Sequence, residues 1–173
     1  LFFFVLKFEF AEILSIGVQK QKKKQLVEFQ NKLAGLTFLD PACGSGNFLT
    51  ETYISLRRLE NDILRELQNG QVIFGDTNWN PIKVSISQFY GIEINDFAGD
   101  VAKTALWIAE SQMMKETEDV VLMHLDFLPL KSNVNIHIGN ALQMDWASII
   151  SPSKLSYIMG NPPFVGQSVR TKD

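Results

Sequence analysis

Soft metal-binding chemistry is nearly absent from this chain of 173 residues: it has one cysteine, Cys43, and two histidines, His124 and His137. One thiol supports neither an internal disulfide framework nor a cysteine-rich zinc site. The histidines lack metal-ligand spacing, so no metal is expected. An unpaired cysteine suits a reducing compartment, and a cytoplasmic protein is expected. Positive charge is also scarce, with 16 Lys and Arg against 19 Asp and Glu and a net charge of −3. Domains that hold polyanions on their own surface usually carry a basic face. By charge alone this is a neutral domain, and the basic run 20–24 reads as a solvated helix face. Long apolar runs are missing too. The start, Leu1 to Val18, is broken by Lys7, Glu9 and Glu12, too many charges for a membrane span. It also lacks the n-region and cleavage site of a signal peptide. Packing on the core as a helix or strand is expected there, with no membrane contact.

What is present fits one domain, and 46% hydrophobic residues can fill its core. A chain starting at Leu1 rather than Met reads as a piece of a longer protein. Residues 1–34 read as an N-terminal helical segment, with one helix over about 8–33, and residues 35–173 as the core. Gly35 marks the helix end. Leu36 to Leu39 reads as a short buried strand, Asn47 to Leu67 as a long amphipathic helix, and Asn69-Gly70 as its stop. Between 71 and 87, Val72–Phe74 and Ile82–Val84 suggest an inserted hairpin. Phe89 to Ile92 reads as a strand ending at Glu93, Phe97 to Met114 as a helix, and Val120 to Leu125 as a short helix or strand. Val134 to Ile138 and Leu155 to Met159 read as two more strands. Strands alternating with helices imply a parallel sheet.

Four polar motifs then fall at the carboxyl ends of four predicted strands, the edge at which open parallel sheets bind ligands. The first is the turn Asp40-Pro41-Ala42-Cys43-Gly44-Ser45-Gly46. Gly44 and Gly46 permit a tight turn and close ligand approach, and the next helix offers free N–H groups. A dinucleotide fingerprint would want glycine at position 49, which is Leu49 here. Asp40 suits a cationic or amine-bearing ligand, and Cys43 reads as a small residue fitted into the turn rather than a nucleophile. The second motif is Glu93, a candidate for both hydroxyls of a ribose. Its distance from the glycine turn is far longer than the usual ~20 residues, which fits the insertion. The third is Asn140 with Ala141 and Asp145, equally readable as a reader of an adenine edge or as a turn cap. The fourth is Asn161-Pro162-Pro163-Phe164, a rigid turn rich in carbonyl acceptors beside an aromatic ring.

Together these residues resemble the amino-methyltransferases of DNA. Phe38 to Leu49 is similar to that family's cofactor turn, and Asn161-Pro162-Pro163-Phe164 to its catalytic tetrapeptide. Phe89 to Asn95 and the stretch Ala102 to Glu110 resemble specifically the MmeI-like group of type II restriction–modification enzymes. The resemblance covers about 36–166. It implies a Rossmann-like class I methyltransferase fold, an α/β parallel sheet flanked by helices and truncated after about the fourth strand. It implies S-adenosyl-L-methionine as cofactor, held by the turn residues Asp40, Pro41, Ala42, Cys43, Gly44, Gly46 and Phe48. Glu93 would take the ribose hydroxyls, Ile94 would pack on the adenine, and Asn140 would contact the adenine amino group, with Ala141 also part of the cofactor site. Asn161 and the Pro162 carbonyl would accept the amino hydrogens of a flipped adenine, with Phe164 stacked on that base beside Pro163. Double-stranded DNA would be the partner through the longer protein.

The target-recognition part is not in the sequence, so the isolated piece is expected to be inactive. Protein-glutamine and RNA methyltransferases use similar Asn-Pro-Pro-aromatic motifs and remain alternatives, as does a non-catalytic cofactor-binding piece. The fourth strand would lie at a sheet edge, which invites pairing with another chain. The apolar segment Leu1 to Phe10 would cover that edge or drive self-association.

Overall fold

The computed structural model describes residues 2–68, 81–125 and 133–161. Among these residues four α-helices and four strands follow one another as α1 (Phe2–Leu14), α2 (Gln19–Gly35), β1 (Phe38–Asp40), α3 (Asn47–Gln68), β2 (Phe89–Glu93), α4 (Asp96–Val121), β3 (Asn135–Ile138) and β4 (Tyr157–Ile158). All pairings are parallel, and the strand order is β3-β2-β1-β4. The helices α3 and α4 connect β1 to β2 and β2 to β3. Successive crossovers of one hand set them side by side on one face, and they pack together extensively.

Alternation along the strands builds two cores. Phe38, Phe89 and Ile136 face the helices and join Leu26, Phe29, Leu33, Leu49, Tyr53, Leu56, Ala102 and Leu106. Leu39 and Ile92 face the other way and are covered by Ala141, Met144, Trp146, Ile149, Ile150 and Leu155. Parallel register sets Phe89, Phe38 and Tyr157 in one row across the sheet. Phe38 stacks on Phe89 at 5.1 Å and on Tyr157 at 5.5 Å, and Phe2 of α1 closes the row at 4.3 Å from Tyr157. Such ring pairs are worth roughly 0.5–1.5 kcal/mol each beyond their buried area. The start of the chain therefore packs on the face of β4. Among the described residues the outer edge of β4 remains unpaired.

Several sequence expectations are corrected. The single helix over 8–33 is two helices. The Ser15 N–H and hydroxyl turn back to the Glu12 carbonyl, at 3.1 and 2.6 Å, and Val18 is extended before α2 begins. Strand β1 begins two residues later than read, because Leu36 caps α2 and its carbonyl accepts from Gln88 Nε2 at 2.7 Å. Ile82–Val84 forms no strand: the N–H groups of Lys83 and Val84 donate to Glu60 instead, at 2.7 and 3.2 Å. The other half of that hairpin and the Asn69-Gly70 stop lie outside the described residues. Helix α4 runs past Met114 to Val121, since Met113, Thr117 and Val121 continue its buried face, and Leu122 ends it with a left-handed backbone at φ 53°. The basic run lies on α2, where Lys22 pairs with Glu66 at 2.8 Å and Lys24 faces Glu28 at 3.7 Å.

Candidate functional site

Parallel pairing puts the carboxyl end of every strand on the same edge. Asp40 ends β1, Glu93 ends β2, Gly139-Asn140 follows β3, and Gly160-Asn161 lies just beyond β4. The sheet order therefore lines up Asn140, Glu93, Asp40 and Asn161 along one rim. With strands about 4.8 Å apart, the rim spans roughly 14 Å.

Hydrogen bonds knit neighbouring loops of the rim together. Glu93 is half-buried, and its Oε2 accepts from Gly44 N–H at 2.8 Å and its Oε1 from Asn95 N–H at 2.9 Å. Each carboxylate oxygen has a lone pair to spare. The Glu93 carbonyl accepts from Gly139 N–H at 2.8 Å, and the Ile92 carbonyl from Cys43 N–H at 3.0 Å. On the far side the Leu39 carbonyl accepts from Met159 N–H at 2.9 Å.

The turn after β1 needs its glycines. Gly44 and Gly46 have φ of 54° and 80°, a left-handed region costly for other residues. A Cβ on Gly46 would stand 2.9 Å from that of Ala102, so the turn rests directly on α4. A Cβ on Gly44 would meet nothing within 4 Å, so the outer side of the turn is open. The first N–H groups of α3 follow at once, and Phe48 stands exposed there.

Asp40 is 1% exposed. Its Oδ1 accepts from Ala42 N–H at 3.0 Å. Burial holds its carboxyl above the usual carboxylate range; the Ala42 N–H opposes the shift and the nearby Glu93 charge adds to it. Asp40 lines a pocket of about 270 Å³ with Pro41, Ala42, Ile158, Met159 and Gly160. A buried carboxylate beside such a space suits a cationic or amine group. Cys43 is buried, and its thiol is pushed up to about 12, first by burial and then by the charges of Asp40 and Glu93. It remains a neutral thiol near pH 7, as expected of a packing residue.

Beyond β3, the side-chain oxygen of Asn140 accepts from Leu142 N–H at 3.0 Å, an Asx turn. The Ala141 carbonyl accepts from Trp146 Nε1 at 2.8 Å, and Asp145 accepts from Ala147 N–H at 3.0 Å. Asp145 is thus a cap, while Asn140 keeps a lone pair and its amide hydrogens at the rim. Ile94 is exposed beside Glu93, and Asn161 is exposed at the opposite end. Pro162, Pro163 and Phe164 lie outside the described residues. In the sequence Gly139 and Gly160 mark strand ends, one directly before each rim asparagine, and neither carries an expected role at the site.

This sheet order with its connecting helices is Rossmann-like, and together with the structural match given below it is that of a class I methyltransferase fold. The model of one protein family, MmeI, DNA-methyltransferase domain, matches residues 16–173. The chain belongs to that family. It is 41% identical over 152 residues to DNA methyltransferase A of Bacillus subtilis (strain 168), covering 86% of this chain and 17% of that protein. Among solved structures it resembles the type IIL restriction–modification enzyme MmeI, determined in complex with DNA. That match has 42% sequence identity and a TM-score of 0.86, and it covers 99% of this chain and 22% of the MmeI chain. The chain thus spans about a fifth of the length of these relatives.

Proposed function

We propose that this chain is the cofactor-binding and catalytic half of an enzyme that transfers a methyl group from S-adenosyl-L-methionine to the exocyclic amino group of adenine in DNA. One observation carries the reading: the rim order Asn140, Glu93, Asp40, Asn161 follows the order of parts in that cofactor and its acceptor. Asn140 and Ala141, with exposed Ile94, take the adenine ring. Glu93 takes the ribose hydroxyls with its spare lone pairs. Asp40 faces the amino-acid end, while Pro41, Ala42, Cys43, Gly44, Gly46 and Phe48 shape the turn around it. The fit is chemical: carboxylates meet hydroxyls and an ammonium, and the glycine turn leaves its outer side open.

When bound, S-adenosylmethionine supplies an electrophilic methyl on a sulfonium. Asn161, at the end of the rim nearest Asp40, supplies a side-chain oxygen that accepts from the adenine amino group. The Pro162 carbonyl is the second acceptor. Accepting both hydrogens localises the nitrogen lone pair for in-line attack, and positioning supplies much of the rate. The base has to leave the duplex first, and Phe164 with Pro163 holds it there. DNA is engaged through the longer protein, within a restriction–modification system, and this piece alone is inactive.

Calorimetric titration with S-adenosylmethionine tests the cofactor site in this chain. Transfer of labelled methyl groups to DNA, RNA or protein by the full-length enzyme tests the substrate. Asn161→Ala is expected to abolish transfer and leave cofactor affinity nearly unchanged. Retained turnover in that variant, or labelling of RNA or protein instead of DNA, refutes the assignment.

A further inference from the structure

The approach to Asn161 has a feature that cofactor binding and catalysis as proposed do not use. Gly160 stands between β4 and Asn161 with φ 153°. A Cβ there would lie 2.5 Å from Asp40 Oδ1, 3.0 Å from its Cγ and 3.4 Å from its Oδ2. The carboxylate of Asp40 thus already fills the volume a side chain at position 160 would need. Asp40 cannot easily yield: it is buried, sits in β1 and is tied to Ala42 N–H. Met159 is equally fixed, with its N–H on the Leu39 carbonyl and its sulfur 3.5 Å from the Thr52 hydroxyl, which donates to it. Gly160 is therefore pinned from behind by β1 and α3 and stopped in front by Asp40.

We propose that Gly160 is a positioning residue, and that contact between its bare backbone and the Asp40 carboxylate sets where Asn161 stands relative to the transferred methyl group. The inference rests on the proposed methyl transfer. It adds that one carboxylate serves two tasks: its outer side faces the cofactor pocket, and its inner side is the stop for the catalytic loop. A side chain at 160 would push Gly160 and Asn161 off the rim. A misplacement of ~1 Å near reacting atoms costs roughly 100-fold in rate.

The test is a double-mutant cycle in the full-length enzyme at saturating cofactor, with single-turnover methylation of unmethylated plasmid DNA, calorimetric cofactor affinity and melting temperature as readouts. Gly160→Ala is expected to slow transfer about 100-fold while the cofactor dissociation constant moves far less. Asp40→Asn keeps the shape of the stop, so adding Gly160→Ala to it should bring the same loss. Asp40→Ala removes the stop and leaves only the strain of an L residue at φ 153°, so the added loss should shrink to less than about 10-fold. Folding of Gly160→Ala only in the Asp40→Ala background also supports the proposal. Wild-type transfer by Gly160→Ala, an equal loss in all three backgrounds, or failure to fold in all of them overturns it. Failure of the wild-type protein to bind S-adenosylmethionine would instead refute the proposed function.

Discussion

The most demanding prediction concerns Glu60, far from the rim and 0% exposed. Its carboxylate draws donors from three parts of the chain. Arg57 Nη1 donates to Oε2 at 2.6 Å, and Gln30 Nε2 of α2 donates to Oε1 at 2.9 Å. The N–H groups of Lys83 and Val84, just before β2, complete the set. Replacing Glu60 with Leu strands the buried Arg57 charge and the two backbone donors, whereas Gln30 keeps the Pro81 carbonyl. Removing one partner of a buried ion pair costs about 3–5 kcal/mol, and a buried unpaired donor roughly 1–3 kcal/mol. These terms overlap, so a loss of about 4 kcal/mol or more is expected, a large share of the ~5–15 kcal/mol that holds a typical domain folded. At about 2–4 °C per kcal/mol for a chain of this size, thermal melting followed by circular dichroism should fall by roughly 10 °C. Arg57→Met should cost less, because Glu60 then still has three N–H donors. The decisive variant carries both changes: without Arg57 no charge is stranded, so it should melt above Glu60→Leu alone. A double variant that melts lower than Glu60→Leu would refute the claim that the buried charge dominates.

Other outcomes follow from the rim and from the unpaired edge of β4. Glu93→Ala should weaken S-adenosylmethionine binding in calorimetry; an unchanged dissociation constant would show that the ribose is held elsewhere. Because burial raises the Asp40 carboxyl, the folded chain keeps that proton to higher pH than the unfolded chain does, so ionised Asp40 costs stability above its folded value. Asp40→Asn should therefore melt higher than wild type at pH 8, and the gap should close as pH falls through the raised value towards the ordinary carboxylate range; a gap that widens on acidification contradicts this. The Cys43 thiol, pushed up to about 12, should alkylate with iodoacetamide at pH 8 far more slowly in the folded chain than in urea, as read by mass spectrometry. The edge of β4 that is unpaired among the described residues should let the isolated chain self-associate in light scattering, whereas a clean monomer at high concentration would show that edge to be covered.

The parallel sheet and its rim were legible because each strand is a short apolar run ending in a polar or glycine residue. Such endings mark where a strand leaves the core. Asp40, Glu93, Asn140 and Asn161 were found this way, and Asp145 resolved into one of the two roles its residue type allows, a cap. What stayed hidden depended on partners remote in sequence. The residues Ile82–Val84 look like a strand, yet the N–H groups of Lys83 and Val84 go to a carboxylate on α3. The polar stretch 115–119 looks like a helix end, yet Thr117 is buried and its hydroxyl accepts from Arg57 Nη2 at 2.7 Å. The break between α1 and α2 is the local exception, made where Ser15 turns back to Glu12 and Gly17 follows. Gly160 shows its constraint only in three dimensions, where a φ of 153° and the Asp40 carboxylate both oppose a side chain.

The acidic balance of the chain, which by itself argues against a polyanion partner, has a local explanation at the rim. Under the proposed function the site takes a cationic cofactor with two ribose hydroxyls, which calls for carboxylates, and two of them, Asp40 and Glu93, stand on adjacent strands close enough for each to raise the proton affinity of a neighbouring group. That arrangement repels phosphate as well as attracting an ammonium. Under the proposed function, affinity for the DNA backbone therefore has to come from surfaces away from this rim, and the acceptor base has to arrive as a neutral, extruded ring. The two carboxylates in the middle of the rim and Asn161 at its end then serve different charges: the carboxylates hold a cation, and the side-chain oxygen of Asn161 accepts from a neutral amine. On that reading, this separation across the strand ends lets a chain of net negative charge serve chemistry on a polyanion.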